Sequence, residues 1–478
     1  MKRFGFAIVT LTVAVGLSGC VKGGTSTSAG PSSGSTGAAS AAAATSGGPA
    51  TGSATGATSA ATSGSAAATS TSKGTGSTQT VTIWSWFTKS TMQKAIDQYQ
   101  TAHPGVKVQY SYYNYDPEFL TALKAAAKNG TLPDIIGLQP GSLTQQYRTD
   151  LTPLNSLAAK QWGANWTDSV YPVNLRQMQM GNPAGDKNYY ILPQESQVLA
   201  IWYNTKIFSK LGLSVPTTLT EMVADAQKIK KAGYIPMYQG AAGAWQNENV
   251  FLMIANQLKN GITDDAQSGT TPWTDPVLVN AMGVWKSMFS NGVFQSGALG
   301  DQAYPTGAQL FAAGRVGMMA LGSWWLQEAE LTPPIPSLVQ NLQGFNYFQF
   351  PAVSASTQPG AVVGGIDVGL GLTKNGAKNP NAFDFMASLV KGDAGKAALV
   401  DVNDLPAFTG VTLPDSVGSN VKTLYGKFNA QLPTAANQRF GSPVVKQALD
   451  DALSAVAAGQ ETPQDALAKV EAKQKSSG

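Results

Sequence analysis

VTIWSWFTKSTMQKAIDQYQTAHPGVKVQYSYYNYDPEFLTALKAAAKNGTLPDIIGL, residues 81–138, decides the fold class. Val81-Thr82-Ile83-Trp84 alternates and is rich in β-branched and aromatic residues, which predicts a strand. In residues 90–103, Met92, Ile96 and Tyr99 recur near helical spacing, with Ser90 as a candidate N-cap. Pro104-Gly105 stops that helix, and residues 106–112 read as a second strand. Residues 119–128 read as a second helix, ended by Asn129-Gly130. Residues 134–138 complete the pattern as a third, short strand. Strand, helix, strand, helix, strand is the signature of an α/β layered domain.

The same alternation returns downstream. Residues 198–203 form a strongly apolar strand. Thr218-Leu219-Thr220-Glu221 has the spacing of a capping box and opens a helix that runs to Lys231-Ala232-Gly233. Residues 277–290 and 377–390 are further helices. Residues 444–473 read as two amphipathic helices broken at 459–463. There is no internal repeat, and the body after residue 79 fits two lobes of similar size.

Composition narrows the chemistry. The chain has 478 residues, a net charge of +4, 13% charged residues, one Cys and one His. A usual soluble domain carries about a quarter charged residues. One Cys excludes an intramolecular disulfide framework, and one His excludes multi-histidine metal centres. The excess charge equals the four side chains Lys2, Arg3, Lys22 and Lys73, and residues 1–79 hold no acid. The remaining body is formally neutral. It has no Lys/Arg run, which removes the main physical support for nucleic-acid binding.

The front end reads as a secretion and anchoring device. Met1-Lys2-Arg3 is a short positive region. Residues 4–17 are apolar but too short for a comfortable membrane span. Leu17-Ser18-Gly19-Cys20 resembles a bacterial lipobox. That resemblance implies lipidation of Cys20 and removal of residues 1–19; an ordinary signal peptide with an incidental Cys is the alternative. Residues 23–72 consist only of Gly, Ser, Thr, Ala and Pro. Such a stretch builds no core and reads as a disordered tether, with an r.m.s. span of about 40 Å.

The body resembles the extracellular solute-binding proteins of carbohydrate ABC transporters, the class that includes maltose-binding protein. The resemblance is carried by Val81-Thr82-Ile83-Trp84, His103-Pro104-Gly105-Val106-Lys107-Val108 and Leu132-Pro133-Asp134-Ile135. It continues through Tyr190-Ile191-Leu192-Pro193, Ile201-Trp202-Tyr203-Asn204 and the stretch from Leu211-Gly212 to Ala232-Gly233. Its most recognisable block is Phe311-Ala312-Ala313-Gly314-Arg315-Val316-Gly317-Met318-Met319 with Gly322-Ser323-Trp324. It implies an α/β, two-lobe periplasmic-binding-protein type II fold with three crossings between lobes. The expected division is residues 80–195 plus 350–404 for one lobe and 196–349 plus 405–478 for the other, after a tether over 20–79. The implied function is capture of a sugar or oligosaccharide between closing lobes and delivery to an ABC permease from the outer face of the cell membrane. No cofactor, metal or covalent chemistry is implied, and the chain is expected to be a monomer. The rival is a lipid-anchored glycoside hydrolase using a carboxylate pair among Glu195, Glu248 and Asp367; a third reading is an adhesin or sensor partner with the same binding site.

A sugar offers hydroxyls and flat apolar C–H faces, so its site combines aromatic plates with acids and amides. Trp86, followed by Phe87 and Lys89, lies after the first strand, where the family places contacts; the other reading has Trp86 closing the core. Asp116, within Asn114-Tyr115-Asp116, is either a contact or a helix N-cap. Gln139 ends the third strand, and the following Pro140-Gly141-Ser142 departs from the maltose-type pattern. Gln194, Glu195 and Gln197 sit at the first crossing, as contacts or as a hinge network. Trp245 and Glu248 open a helix. Trp324 stands where the family puts a stacking Trp, whereas Trp325 reads as core. Asp367 is an acid inside an apolar strand and demands a partner. Phe440, beside Arg439, is expected where the C-terminal segment returns to the cleft. His103 reads as a surface or capping residue, and Arg315 as an ion-pair member.

Overall fold

The computed structural model describes residues 79–477, apart from 88, 331–342, 355, 356, 358, 359, 399–403, 414 and 416. The expected signal peptide, Cys20 and tether lie outside the described residues. In chain order the strands are β1 (Gln79–Ser85), β2 (Val106–Tyr112), β3 (Ile135–Leu138), β4 (Leu192–Pro193), β5 (Glu195–Asn204), β6 (Ile235–Tyr238), β7 (Val316–Gly322), β8 (Phe345–Phe348), β9 (Val363–Ile366), β10 (Gly369–Leu372), β11 (Leu405–Pro406) and β12 (Ala436–Asn437).

They form two sheets. The first has the order β2-β1-β3-β10-β4. β1 pairs in parallel with β2 and β3, and β10 runs antiparallel to β3 and β4. Parallel pairing needs crossovers, and the helices Lys89–Ala102 and Leu120–Asn129 supply them. The second sheet has the order β12-β9-β5-β7-β6, with β8 and β11 also on β5. β5 is its spine: Ser196 to Val198 pair with β9, and Leu199 to Tyr203 pair with β7.

Each sheet has its own core. Val81, Ile83, Ile135, Leu370 and Phe385 pack in the first. Trp202, Phe251, Trp285, Met319 and Leu453 pack in the second. Trp202 is fully buried, so its indole N–H must find an acceptor; it donates to the Gly322 carbonyl at 2.8 Å. The helix Ala244–Leu258 is buried almost throughout, including its amides. Gln246 accepts from the Gly240 N–H at 2.6 Å and donates to the Ala320 carbonyl at 2.7 Å, which locks that helix against β7.

The capping box forms as the spacing predicts: Thr218 and Glu221 cap each other at the start of Leu219–Lys231. Two local expectations are corrected. The first helix begins at Lys89, one residue before Ser90. The helix expected over 377–390 is Ala382–Lys391, because Pro380 breaks the run and the earlier residues form a 3-10 turn, Gly376–Lys378. His103 directly follows its helix, as expected of a surface residue at a helix end, with its ring tilted against Tyr99 at 4.1 Å and 3.5 Å from Asp384.

The chain crosses from sheet to sheet between β4 and β5, and again between β9 and β10. The third crossing brings it back from the helix Ala382–Lys391 in the first core to Leu405 in the second, although Ala407 and Phe408 still pack in the first. β9 pairs with β5 in the second sheet, so residues 363–366 do not belong with the lobe expected to hold 350–404. The strand stays because its partner, β5, is the long central strand.

The lobes touch at a glycine. Gly141 has a φ of +74°, and a Cβ there would lie 2.3 Å from the Phe440 carbonyl oxygen. That oxygen accepts the Ser142 N–H at 2.6 Å, joining the first lobe to the second. Gly141→Ala is therefore expected to lower stability by at least about 1–2 kcal/mol, from the left-handed backbone alone, and to loosen this contact. Urea unfolding of the wild type and the variant measures it; an unchanged midpoint would refute the role given to the contact.

Candidate ligand-binding cleft

Aromatic side chains gather on both lobes. In the first, Trp86 follows β1 and meets Tyr115 edge-on at 4.8 Å and Phe119 at 5.2 Å. Gly137 on β3 makes room for it, since a Cβ there would approach the ring to 3.2 Å. Trp86 thus packs on the core and keeps a partly exposed face. The Tyr115 hydroxyl donates to Gln139 Oε1 at 2.8 Å, which fixes both side chains.

In the second lobe, the Trp324 indole N–H donates to the Tyr304 hydroxyl at 2.8 Å. Trp245 lies 6.0 Å from Trp324 and 6.1 Å from Tyr304. Gly322 permits this wall: a Cβ there would stand 2.1 Å from the Trp324 ring. Trp325, one residue on, is fully buried against Phe311 and Phe345. Trp245 and Glu248 are three apart on one helix and share a face.

The charged groups close the ring between the lobes. Lys446 Nζ lies 2.7 Å from Glu248 Oε2 and 2.9 Å from Asp450 Oδ2. Burial alone would lower the Lys446 pKa, but the two carboxylates outweigh it and raise it. Burial also raises Asp450, to about 7, against the pull of Lys446. Arg439 donates through Nε and Nη2 to the Ile366 carbonyl at 3.1 and 2.7 Å, and its Nη2 lies 3.6 Å from Asp367 Oδ1. Burial raises Asp367 to about 6, and Arg439 opposes that rise. Tyr115 feels Lys446, Arg439, Glu248 and Asp367, so the first lobe's aromatic group lies within reach of the second lobe's charges.

Behind this ring the crossing strands are rich in acceptors. Glu195 on β5 is raised well above the carboxylate range by burial, then by Asp404 and Asp367. Asp404 is raised by burial and Asp367, against hydrogen bonds from the Ser323 hydroxyl and the Leu405 N–H. Gln194 Oε1, Gln197 Oε1, Gln438 Oε1 and Asp404 Oδ2 are buried without a protein partner among the described residues. Buried acceptors require donors.

The fold therefore brings together Trp86 and Gln139 through Tyr115, and Trp245, Glu248 and Trp324 on the second lobe. Asp367 stands at the crossing just after β9, not inside a strand. Glu195 and Gln197 are buried in the hinge. Asp116 is exposed before Pro117 and caps no helix; Asn114 holds the cap position there. Phe440 is 2% exposed and stacks on Trp273 in the second core; only its carbonyl reaches the first lobe. Arg315 is exposed and offers its carbonyl to Ile235. Sequence reasoning missed Tyr304, Lys446 and Asp450. The 446/450 spacing is a helical pair, but its partner Glu248 is about two hundred residues away. Two surface concavities, of about 250 and 150 Å³, lie elsewhere, around His103 and Asp384 and around Asn204 and Gly344.

The raised carboxyls set a pH dependence. A carboxyl whose folded pKa exceeds its unfolded value stabilises the fold below the unfolded pKa and loses that contribution as pH rises through the folded pKa. Asp367 acts from about pH 4 to 6, Asp450 from about 4 to 7, and Glu195 and Asp404 further up. Stability is thus expected to fall as pH rises above about 4 and through 7, by about 1.4 kcal/mol per pH unit for each retained proton. Glu195→Gln with Asp404→Asn is expected to flatten that slope in denaturant titrations. A slope equal to the wild type's would exclude these two groups as its source.

Comparison with known proteins places the architecture. The profile of the family described as Bacterial extracellular solute-binding protein matches residues 84–395. The chain is 23% identical over 290 residues to the Multiple sugar-binding protein of Streptococcus mutans, covering 59% of this chain and 64% of that protein. It is 24% identical over 398 residues to the sn-glycerol-3-phosphate-binding periplasmic protein UgpB of Pectobacterium atrosepticum, covering 78% and 84%. The chain spans less than two-thirds of the length of six of the curated relatives it matches, from 32% to 64%. The solved structure of a chitin oligosaccharide binding protein superposes with a TM-score of 0.67 at 22% identity, covering 84% of this chain and 99% of that one, which shows the shared two-lobe fold. The chain belongs to the bacterial extracellular solute-binding proteins.

Proposed function

We propose that the chain captures a sugar or small oligosaccharide between its two lobes, outside the cell, and hands it to an ABC permease. The observation that carries this reading is the Trp245–Tyr304–Trp324 wall, hydrogen-bonded through the Trp324 indole. With Trp86, Tyr115 and Gln139 on the first lobe it supplies apolar plates and polar edges, the pairing a sugar ring needs. The S. mutans relative is named for multiple sugars, which supports the class. The P. atrosepticum relative is named for a phosphorylated polyol, which makes phosphate esters the main competitor.

The chain binds and does not transform its ligand. Two of the three acids offered for hydrolysis are held by cations, Glu248 by Lys446 and Asp367 by Arg439, which supports binding over hydrolysis. Lipidated Cys20 would hold the protein on the membrane, where several acyl chains anchor stably and one does not. Among the described residues no helix is long and apolar enough to cross a membrane.

Titration of intrinsic Trp fluorescence with a carbohydrate panel tests the reading. A shift with at least one glycan is expected, and Trp324→Ala should weaken that binding by about 2 kcal/mol or more, roughly thirtyfold. A shift with an amino acid or a metal ion and none with any glycan would sink the proposal. Cys20→Ser is expected to move the protein from the membrane fraction to the medium; retention on the membrane would overturn the anchor.

A further inference from the structure

We infer that the cleft is built for uncharged or amino-bearing glycans and excludes phosphate esters and sugar acids, because its two cations are already spent. This rests on the sugar reading above and names the class within it.

A site for a phosphate or carboxylate ligand needs donors that carry unneutralised positive charge, typically Arg or Lys free to fork onto the anion. The cations acting on Tyr115 are Lys446 and Arg439. Lys446 contacts Glu248 at 2.7 Å and Asp450 at 2.9 Å, so one ammonium faces two carboxyls. Arg439 gives Nε and Nη2 to the Ile366 carbonyl, and its charge is met by Asp367 at 3.6 Å. Three carboxyls therefore surround two cations, so the cluster keeps a net positive charge only while Asp367 and Asp450 both hold protons, is neutral when one ionises and is negative when both do.

A phosphate ester brings close to two negative charges. Entering this cluster, it would lose hydration without gaining a counter-charge and would face Asp367, whose side chain keeps 17% exposure. The N-terminus of Ala244–Leu258, beside Trp245, contributes only about half a positive charge and cannot offset that cost. Lys89 lies past Trp86 but is exposed at the start of its own helix, where its ammonium stays hydrated. Donors are welcome instead. Asp367, which keeps part of its side chain exposed, offers acceptor oxygens. A hydroxyl donates to such oxygens, and an ammonium on the sugar donates and balances the charge.

The test uses the full chain and isothermal titration against matched probes. These are maltose, chitobiose, glucose, galactose and glycerol as neutral probes, chitosan dimer as an amino glycan, and sn-glycerol 3-phosphate, glucose 1-phosphate and galacturonate as the matching anions. Neutral or amino probes are expected to bind, with every anion at least about a hundredfold weaker than its neutral counterpart. Glu248→Gln with Asp450→Asn leaves Lys446 unneutralised and should narrow that gap about tenfold or more. Thermal melting checks that the variant folds, and Glu248→Gln alone gives the same reading at lower amplitude. An anion bound by the wild type as tightly as its neutral counterpart overturns the inference while leaving a small-solute cleft intact. Binding of glycans by a folded variant whose gap is unchanged also overturns it. Silence toward every glycan, neutral and amino alike, sinks the sugar reading itself.

Discussion

Arg439 holds the second crossing between the lobes in place. Its guanidinium donates twice to the Ile366 carbonyl, at the end of β9, and faces Asp367 on the way to β10. The chain changes lobes between those strands, so one buried cation fixes both the path of the crossing and the charge of the site. A buried carboxylate left without such a partner is costly. The same contact restrains the rise that burial gives Asp367, to about 6, while Glu195 and Asp404, which meet no cation among the described residues, are raised by burial well above the usual carboxylate range.

From that anchor the rest of the cleft follows by steric permission. The second-lobe wall exists because Gly322 ends β7 without a side chain and lets the Trp324 ring lie across the strand. The first-lobe group exists because Gly137 leaves room beneath Trp86, and Tyr115 then bridges Trp86 to Gln139. Gly141 allows the two lobes to meet through backbone atoms alone, the Ser142 N–H on the Phe440 carbonyl. These aromatic groups and the contact between the lobes therefore stand at positions where a methyl group would not fit.

Much of the fold was legible in the sequence. The alternation over residues 81–138 predicted strands and helices that appear as β1, β2, β3 and the two helices between them. The Thr218–Glu221 spacing predicted a cap that forms. Trp324 and Trp325 both belong to the second core, Trp324 at its edge beside Tyr304 and Trp325 fully buried against Phe311 and Phe345. Asp116 and Phe440 misled, because position along the chain says little about burial. Asp116 sits exposed before Pro117, and Phe440 packs its ring into the second core while its carbonyl makes the contact between lobes.

The sequence alone determined the neutral body, the alternating elements and the supply of aromatic and acidic side chains, since these are properties of composition and local period. It could not set which charges neutralise which. Glu248, Lys446 and Asp450 come together only when two helices far apart in the chain pack side by side, and Glu195, Asp367 and Asp404 only when three crossings share one hinge. The number of charges is written in the chain, but their pairing, and with it the kind of solute the cleft admits, is decided by distances that exist only after folding.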